Sequence, residues 1–326
     1  MALLPVALAA LAAAARGQTS VGSGSVPWPL RAPFVVMNTI GTLQFYGDKP
    51  GFHHGVDLKA AAETKVYAPV SGAVGAGYYY PRYKSPYTFM VSIDADDGYR
   101  WELHHVDPAS VPQAILDLAA VHGRVEAGTL LAAIFDTSTT PELGVPPHLH
   151  VDLIDPNGVR HDALQRFPPL SDDQAPEIRG VYFVGGDGRA AAGVSGLLRR
   201  ETLAAGRYDL VVDALETVSP GTNGDVPYRM EVRAAGRLVG SFRFDRLPDA
   251  DYLKGVADVY RLEPFAGLDG KQLQNQIAAE APRRFLFRFP FDTASLGGPG
   301  LIPVEVRAYG LAGGETRAVL RLMVKP

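Results

Sequence analysis

The sequence predicts an all-β protein built from two modules, and three observations carry that prediction. Apolar runs are short and repeatedly broken by turn residues; the chain contains 35 Gly and 26 Pro. Several of these runs alternate apolar and polar residues, the period-two signature of half-buried antiparallel strands. All eight histidines lie between His53 and His161, which divides the chain into a half with reactive side chains and a half without them. The length, 326 residues, suits about two domains. A hydrophobic content of 47% is enough to build their cores and excludes a disordered chain.

The elements follow in order. Residues 1–24 read as a signal peptide and leader. The apolar run Ala2–Ala15 ends in small residues before Arg16, and a polar Gly/Ser stretch follows. The alternative is an N-terminal helix of the mature fold, since no basic residue precedes the run. The run is too short to span a bilayer comfortably. Nothing later resembles a membrane-spanning helix, so a periplasmic or secreted location is expected.

Residues 25–169 form the first module. Val66–Tyr80 reads as strand, Pro-containing turn and strand. Phe89–Val106 reads as two strands joined at Asp96-Asp97-Gly98. Ser110, with Gln113 three residues on, predicts a helix N-terminus and a short helix to about Ala120. Gly123–Phe135 and His148–Ile154 return to strands. Residues 170–178 are a Pro- and Asp-rich linker.

Residues 179–326 form the second module. Seven strand-like segments recur there, and an immunoglobulin-like β-sandwich is expected. In one of them Phe285, Phe287 and Phe289 face one side, with Arg284, Leu286 and Arg288 on the other. Arg233 to Arg237 reads as a hairpin turn. Asp251–Ala281 interrupts the pattern as a loop or short helix.

Composition narrows the chemistry. The net charge is −4 and no long basic run occurs, so nucleic acid is not an expected partner. Cysteine is absent, which excludes disulfides, thiolate metal sites and cysteine nucleophiles. Six of the histidines form the pairs His53/His54, His104/His105 and His148/His150. On extended chain, residues i and i+4, or i and i+2, face the same side. His53 can then meet Asp57, and His148 can lie beside His150. Imidazole and carboxylate together suit zinc, with an open position for water.

These residues carry a family resemblance. His53-x-Gly55-x-Asp57, Val66-x-Ala68-Pro69-x-x-Gly72-x-Val74, the histidine of Leu103–Val106, Val125-x-x-Gly128 and Pro147-His148-Leu149-His150 occur in the order found in the lysostaphin-type zinc endopeptidases. This is the LytM group, peptidase family M23. The resemblance spans about residues 33–165. It implies an antiparallel β-sheet peptidase domain holding one Zn2+ on His53, Asp57 and His150. It further implies that His105 and His148 are catalytic without binding the metal. His53 fits the family spacing better than His54, and His105 fits better than His104.

Two departures stand out. Leu103 replaces the family tyrosine, and a longer Pro-rich loop, Ser138–Pro147, precedes the last histidines. Tyr78, Tyr79, Tyr80, Tyr83 and Tyr87 either flank the cleft or pack as strand-end aromatics. His122 and His161 read as structural.

The resemblance implies an endopeptidase acting on the peptide stems or cross-links of bacterial peptidoglycan; the N-terminal run predicts its export, and a monomer is expected. The alternatives are a non-catalytic regulator of wall hydrolases and a peptidase for protein substrates. The second module, which lacks histidine, is expected to be accessory.

Overall fold

A computed structural model describes residues 25–82, 84–170, 174–186, 190–195, 200–219, 224–263 and 284–326. The expected leader, Tyr83, part of the linker and most of the stretch from Asp251 to Ala281 lie outside the described residues.

In the first half the alternation of the sequence becomes a two-faced sheet. Its strands are β1 (Val35–Asn38), β4 (Val56–Lys59), β6 (Gly72–Tyr78), β7 (Phe89–Ala95), β8 (Arg100–His104), β9 (Arg124–Val125), β11 (His148–Ile154) and β12 (Arg160–His161). The spatial order is β1-β4-β11-β8-β7-β6-β9, with β12 on β11, and every pairing is antiparallel. Two small ribbons complete this half: β2 (Leu43–Tyr46) with β3 (Lys49–Phe52), and β5 (Lys65–Tyr67) with β10 (Leu130–Ala133).

One face of the sheet is core. Val56, Leu58, Trp101, Leu103, Leu149 and Val151 are all fully buried there. Because side chains alternate across a strand, their neighbours Asp57, Glu102, His104, His148, His150 and Asp152 share the opposite face. Burial of the apolar face therefore fixes where the polar residues point.

The second half is a two-sheet β-sandwich. One sheet has the order β14 (Ala190–Ser195), β13 (Glu177–Val184), β16 (Arg207–Leu215) and β19 (Phe285–Asp292). The other has the order β15 (Arg200–Ala204), β21 (Glu315–Lys325), β20 (Gly300–Tyr309), β17 (Arg229–Ala234) and β18 (Arg237–Arg243). Phe285, Phe287 and Phe289 point into the shared core, as their alternation predicts. The hairpin at Arg233–Arg237 forms, with Ala235 and Gly236 both in the left-handed region, as a two-residue turn between twisted strands favours.

Three readings are corrected. The helix α1 runs Gln113–Ala120 with Pro112 as its N-cap, so it starts later than the capping pattern suggests. Ser110 ends a 3-10 turn instead; its hydroxyl bonds Asp107 O and accepts from Ala133 N–H. Among the described residues of the second half, nine strands occur where seven were expected, because the segments at 190–195 and 200–204 carry no clear alternation. The strand at 200–204 pairs parallel with β21. His53 is not on a strand at all. It sits at a corner between β3 and β4, with Gly55 at the bend.

The two halves share core. Ile40, Leu43 and Phe52 belong to the same apolar cluster as the sandwich residues, while Val218 belongs to the cluster of the first sheet. Asp162 lies at this junction. Its backbone N–H bonds Asp245 O at 2.9 Å, and its carboxylate caps the turn at Leu164. Burial pushes its pKa up to about 7, despite that cap and a bond from Gln165, and the nearby Asp245 and Asp225 add to the rise. A folded-state pKa above the unfolded value gives stability that is present below about pH 4 and lost as pH rises through 7. In urea titrations, wild type should therefore lose about 2 kcal/mol relative to Asp162→Asn between pH 5 and 8. Parallel pH curves for the two proteins would contradict this.

Candidate active site

The strand registers assemble the site. On neighbouring strands His150 lies directly opposite Asp57 on one side and His104 on the other; Asp152 lies opposite Glu102. Directly opposed residues share a face and stand within reach of one another. Asp57 thus reaches His150, with Oδ1 2.8 Å from Nδ1. His53 comes in from its corner, Nε2 lying 3.1 Å from Asp57 Oδ1 and 3.0 Å from His150 Nδ1. Sequence reasoning placed His53 and Asp57 on one extended face; the structure brings them together by a turn.

Each ring is oriented by a fixed partner. His53 Nδ1 lies 3.0 Å from Thr39 O. A carbonyl only accepts, so Nδ1 carries the hydrogen and Nε2 turns its lone pair to the site. His105 Nδ1–H donates likewise to Tyr87 O at 2.8 Å, and His148 Nδ1–H to Pro146 O at 2.8 Å. The Pro-rich loop that departs from the family pattern therefore supplies the carbonyl that orients His148. His105 has φ +62°, a left-handed conformation at the end of β8 that turns its ring away from the strand. That ring stacks on Tyr87 at 3.9 Å and lies 4.8 Å from the His148 ring. The geometry favours His105 over His104 as the partner of His148.

Behind His150 stands a second set of groups. Asp152 is fully buried. Its carboxylate faces His54 Nδ1 at 2.8 Å, His104 Nε2 at 3.3 Å, His150 Nε2 at 3.4 Å and Arg160 Nε at 3.6 Å. His104 also meets Glu102 at 3.2 Å. The doubled histidines His54 and His104 are thus buried in the site and not surface decoration: both face the Asp152 carboxylate, and His54 with His150 and Asp152 forms a second close-set group of possible metal donors. Asp152 and Glu102 went unremarked in the sequence. The period-two continuation His148, His150, Asp152 was the signal for the first of them, and Glu102–His104 was the signal for the second.

Electrostatics favour a cation at the front of His150. Burial alone would raise Asp57, but His53 and His148, with bonds from His150 and His53, hold its carboxyl well below the usual range. Burial would lower His150, yet Asp152 and Asp57 outweigh it and push its pKa up to about 10. A metal ion can take the place of the proton that this negative charge attracts. The donors His53 Nε2, Asp57 Oδ1 and His150 Nδ1 stand 2.8–3.1 Å apart. Tetrahedral zinc, with bonds of about 2.0–2.1 Å, needs about 3.3 Å between donors. The set fits after opening by a few tenths of an ångström, and two imidazoles with one carboxylate is a donor set that zinc accepts.

The cleft beside this group has a volume of about 440 Å³. His105 and His148 line it, together with Tyr79, Tyr80, Tyr87 and the hairpin residues Leu43–Tyr46. Tyr78 instead packs on Phe89. The tyrosine cluster therefore divides between cleft wall and core. His161 bonds Asp155, a structural role. Asn38 donates to Asp57 Oδ2 at 2.5 Å and helps to hold that carboxylate.

Zinc titration of the chelator-stripped chain should show one tight site, lost in Asp57→Ala. Asp152→Asn should weaken it about 10–100-fold, the usual cost of removing a partner that orients a ligand. Full affinity in Asp152→Asn would mean that the network behind His150 does not support the site.

Residues 51–163 match the family model "Peptidase family M23". No curated protein gave a match. Among solved structures, Csd3 from Helicobacter pylori is 18% identical, over 41% of this chain and 32% of that one, with a TM-score of 0.30. A mutant catalytic domain of the prophage-encoded M23 protein EnpA from Enterococcus faecalis is 20% identical over 42% and 95%, with a TM-score of 0.31. A zinc-containing peptidase from Vibrio cholerae is 17% identical over 44% and 41%, with a TM-score of 0.33. The aligned region is about a third of the Csd3 chain and under half of the Vibrio cholerae chain. No helix among the described residues is long and apolar enough to cross a membrane. The chain carries, at residues 51–163, a domain of peptidase family M23.

Proposed function

We propose that this chain is an exported zinc endopeptidase that hydrolyses peptide bonds in the stems or cross-links of bacterial peptidoglycan. Its metal ligands are His53, Asp57 and His150, and its acid–base residues are His105 and His148. The observation that carries the reading is one shared geometry. Two histidines outside the ligand set are each pinned at Nδ1 by a backbone carbonyl. Both line the cavity that also reaches the ligand triad.

Zinc bound there supplies Lewis acidity toward a peptide carbonyl and brings the pKa of water toward ~7. The chain's own residues do the rest. With Nδ1 committed, His105 and His148 each keep an unprotonated Nε2. Burial holds both rings below the usual histidine range, helped by neighbouring histidines. Both are therefore neutral and ready to accept at neutral pH. One takes the proton of the attacking water; the same low basicity drives that proton onward to the leaving amine. The other, also bare at Nε2, accepts a hydrogen bond from the attacking water or the substrate N–H and orients it. Tyr79, Tyr80 and Tyr87 offer flat apolar walls with polar tips for a peptide or glycan.

The test uses purified sacculi, with and without chelator, and mass analysis of the products. Fragments from cut peptides should appear with zinc and vanish with chelator. His105→Ala and His148→Ala should each still bind one zinc and lose about 10²–10⁴-fold in rate. Loss of the metal in either variant would overturn its assigned role. A zinc-loaded protein that releases nothing, yet stimulates another wall hydrolase, would establish the regulator reading instead.

A further inference from the structure

Resting on the reading of His53 as a metal ligand, we infer that Asp225, in the C-terminal half, is a positioning residue for the metal centre. The inference makes the β-sandwich part of that centre and not a detachable accessory.

The argument begins with how each ligand is held. Asp57 and His150 sit opposite one another in a buried sheet, so strand register places them. His53 has no such support, because it lies at the corner between β3 and β4. What holds it is the turn at residues 39–42. Thr39 O accepts from the His53 ring at 3.0 Å, Thr42 O accepts from His53 N–H at 2.6 Å, and Gly41 N–H donates to His53 O at 2.9 Å. The turn therefore grips both the backbone and the ring of this residue.

The turn is in its own right held from the other half of the chain. Asp225 Oδ1 accepts from Thr39 N–H at 3.1 Å and from the Thr42 hydroxyl at 2.6 Å. Asp225 is 2% exposed, and its backbone pairs with Glu216 in both directions. Its carboxylate is thus aimed by the sandwich. The Tyr260 hydroxyl donates to Gly41 O at 2.6 Å. Gly41 has φ +88°, and a Cβ there would come within 2.3 Å of the Phe244 ring, so the aromatic closes directly on the turn. Tyr252 O accepts from Phe52 N–H, next to His53 in sequence, at 2.9 Å. Asp225, Phe244, Tyr252 and Tyr260 all lie beyond residue 163, where the family match ends. The path Asp225–Thr39–His53 links a buried carboxylate of the second half to the ring whose Nε2 faces the metal position.

A carboxylate that only sealed the junction would affect folding and leave metal affinity alone. A positioning residue changes how well the folded protein holds its metal. The experiment measures zinc affinity of full-length chains by competition with a chelator, well below the unfolding temperature. Asp225→Ala should bind zinc about 10–100-fold more weakly than wild type. Asp225→Asn keeps an acceptor oxygen and should restore affinity to within about threefold. At saturating zinc, Asp225→Ala should recover kcat with KM unchanged. Thr42→Val, which removes only the 2.6 Å bond, should weaken binding several-fold and serves if Asp225→Ala does not fold. Wild-type affinity in folded Asp225→Ala, or in Thr42→Val should the former not fold, overturns the inference while a weakened His53→Ala leaves the ligand assignment standing. Wild-type affinity in His53→Ala overturns the ligand assignment and this inference with it.

Discussion

The antiparallel pairing of Val56–Lys59 with His148–Ile154 is the contact on which the rest depends. It sets His150 opposite Asp57, and through the next strand sets His104 opposite His150. Burial of Leu58, Leu149 and Val151 on the far face locks this register. A one-residue slip of the His148–Ile154 strand would turn His148, His150 and Asp152 into the core and Leu149 and Val151 into the cleft. The apolar face is thus as much a determinant of the site as its polar residues are.

Concentrating so many titratable groups on one buried face has a cost, and the surroundings show how it is met. Asp152 and Asp57 flank the His150 ring on its two nitrogens, so that ring is held between two negative groups. His54, His104 and Arg160 meet Asp152 from behind. Burial holds His54 down to about 4, against the pull of Asp152, so it serves as a neutral donor. Buried polar groups of this kind are tolerable only when each finds a partner. At the front, the Asp57 carboxylate faces His53, His148 and His150 at once, and a metal ion can take the place of a proton shared there.

The outer wall of the cleft comes from both halves of the chain. The hairpin Leu43–Phe52 lines the cavity with one side and joins the sandwich core through Leu43 and Phe52. Tyr252 packs against both Tyr46 and His54. Movement of the sandwich would therefore be felt at the cleft and at the corner that carries His53.

By itself the sequence determined the strand content and the three pairs of histidines. It also contained the spacing His53–Asp57 and the shared face of His148 and His150. These depend on local periodicity, which one chain carries in full. Adjacent residues on a strand point to opposite sides, so the sequence puts only one of His104 and His105 in the cleft. Both line it, because the left-handed backbone at His105 and its bond to the Tyr87 carbonyl bring that ring back to the same side. Nor could it disclose Thr39 and Asp225, which are 186 residues apart and meet only when the halves pack. The helix start moved for the same reason: the Ser110 hydroxyl is engaged by Asp107 and Ala133 and not by the helix. Only the tertiary structure decided which side chains lie behind the ligands, because those contacts depend on strand order and packing between distant segments, and neither is written in local spacing.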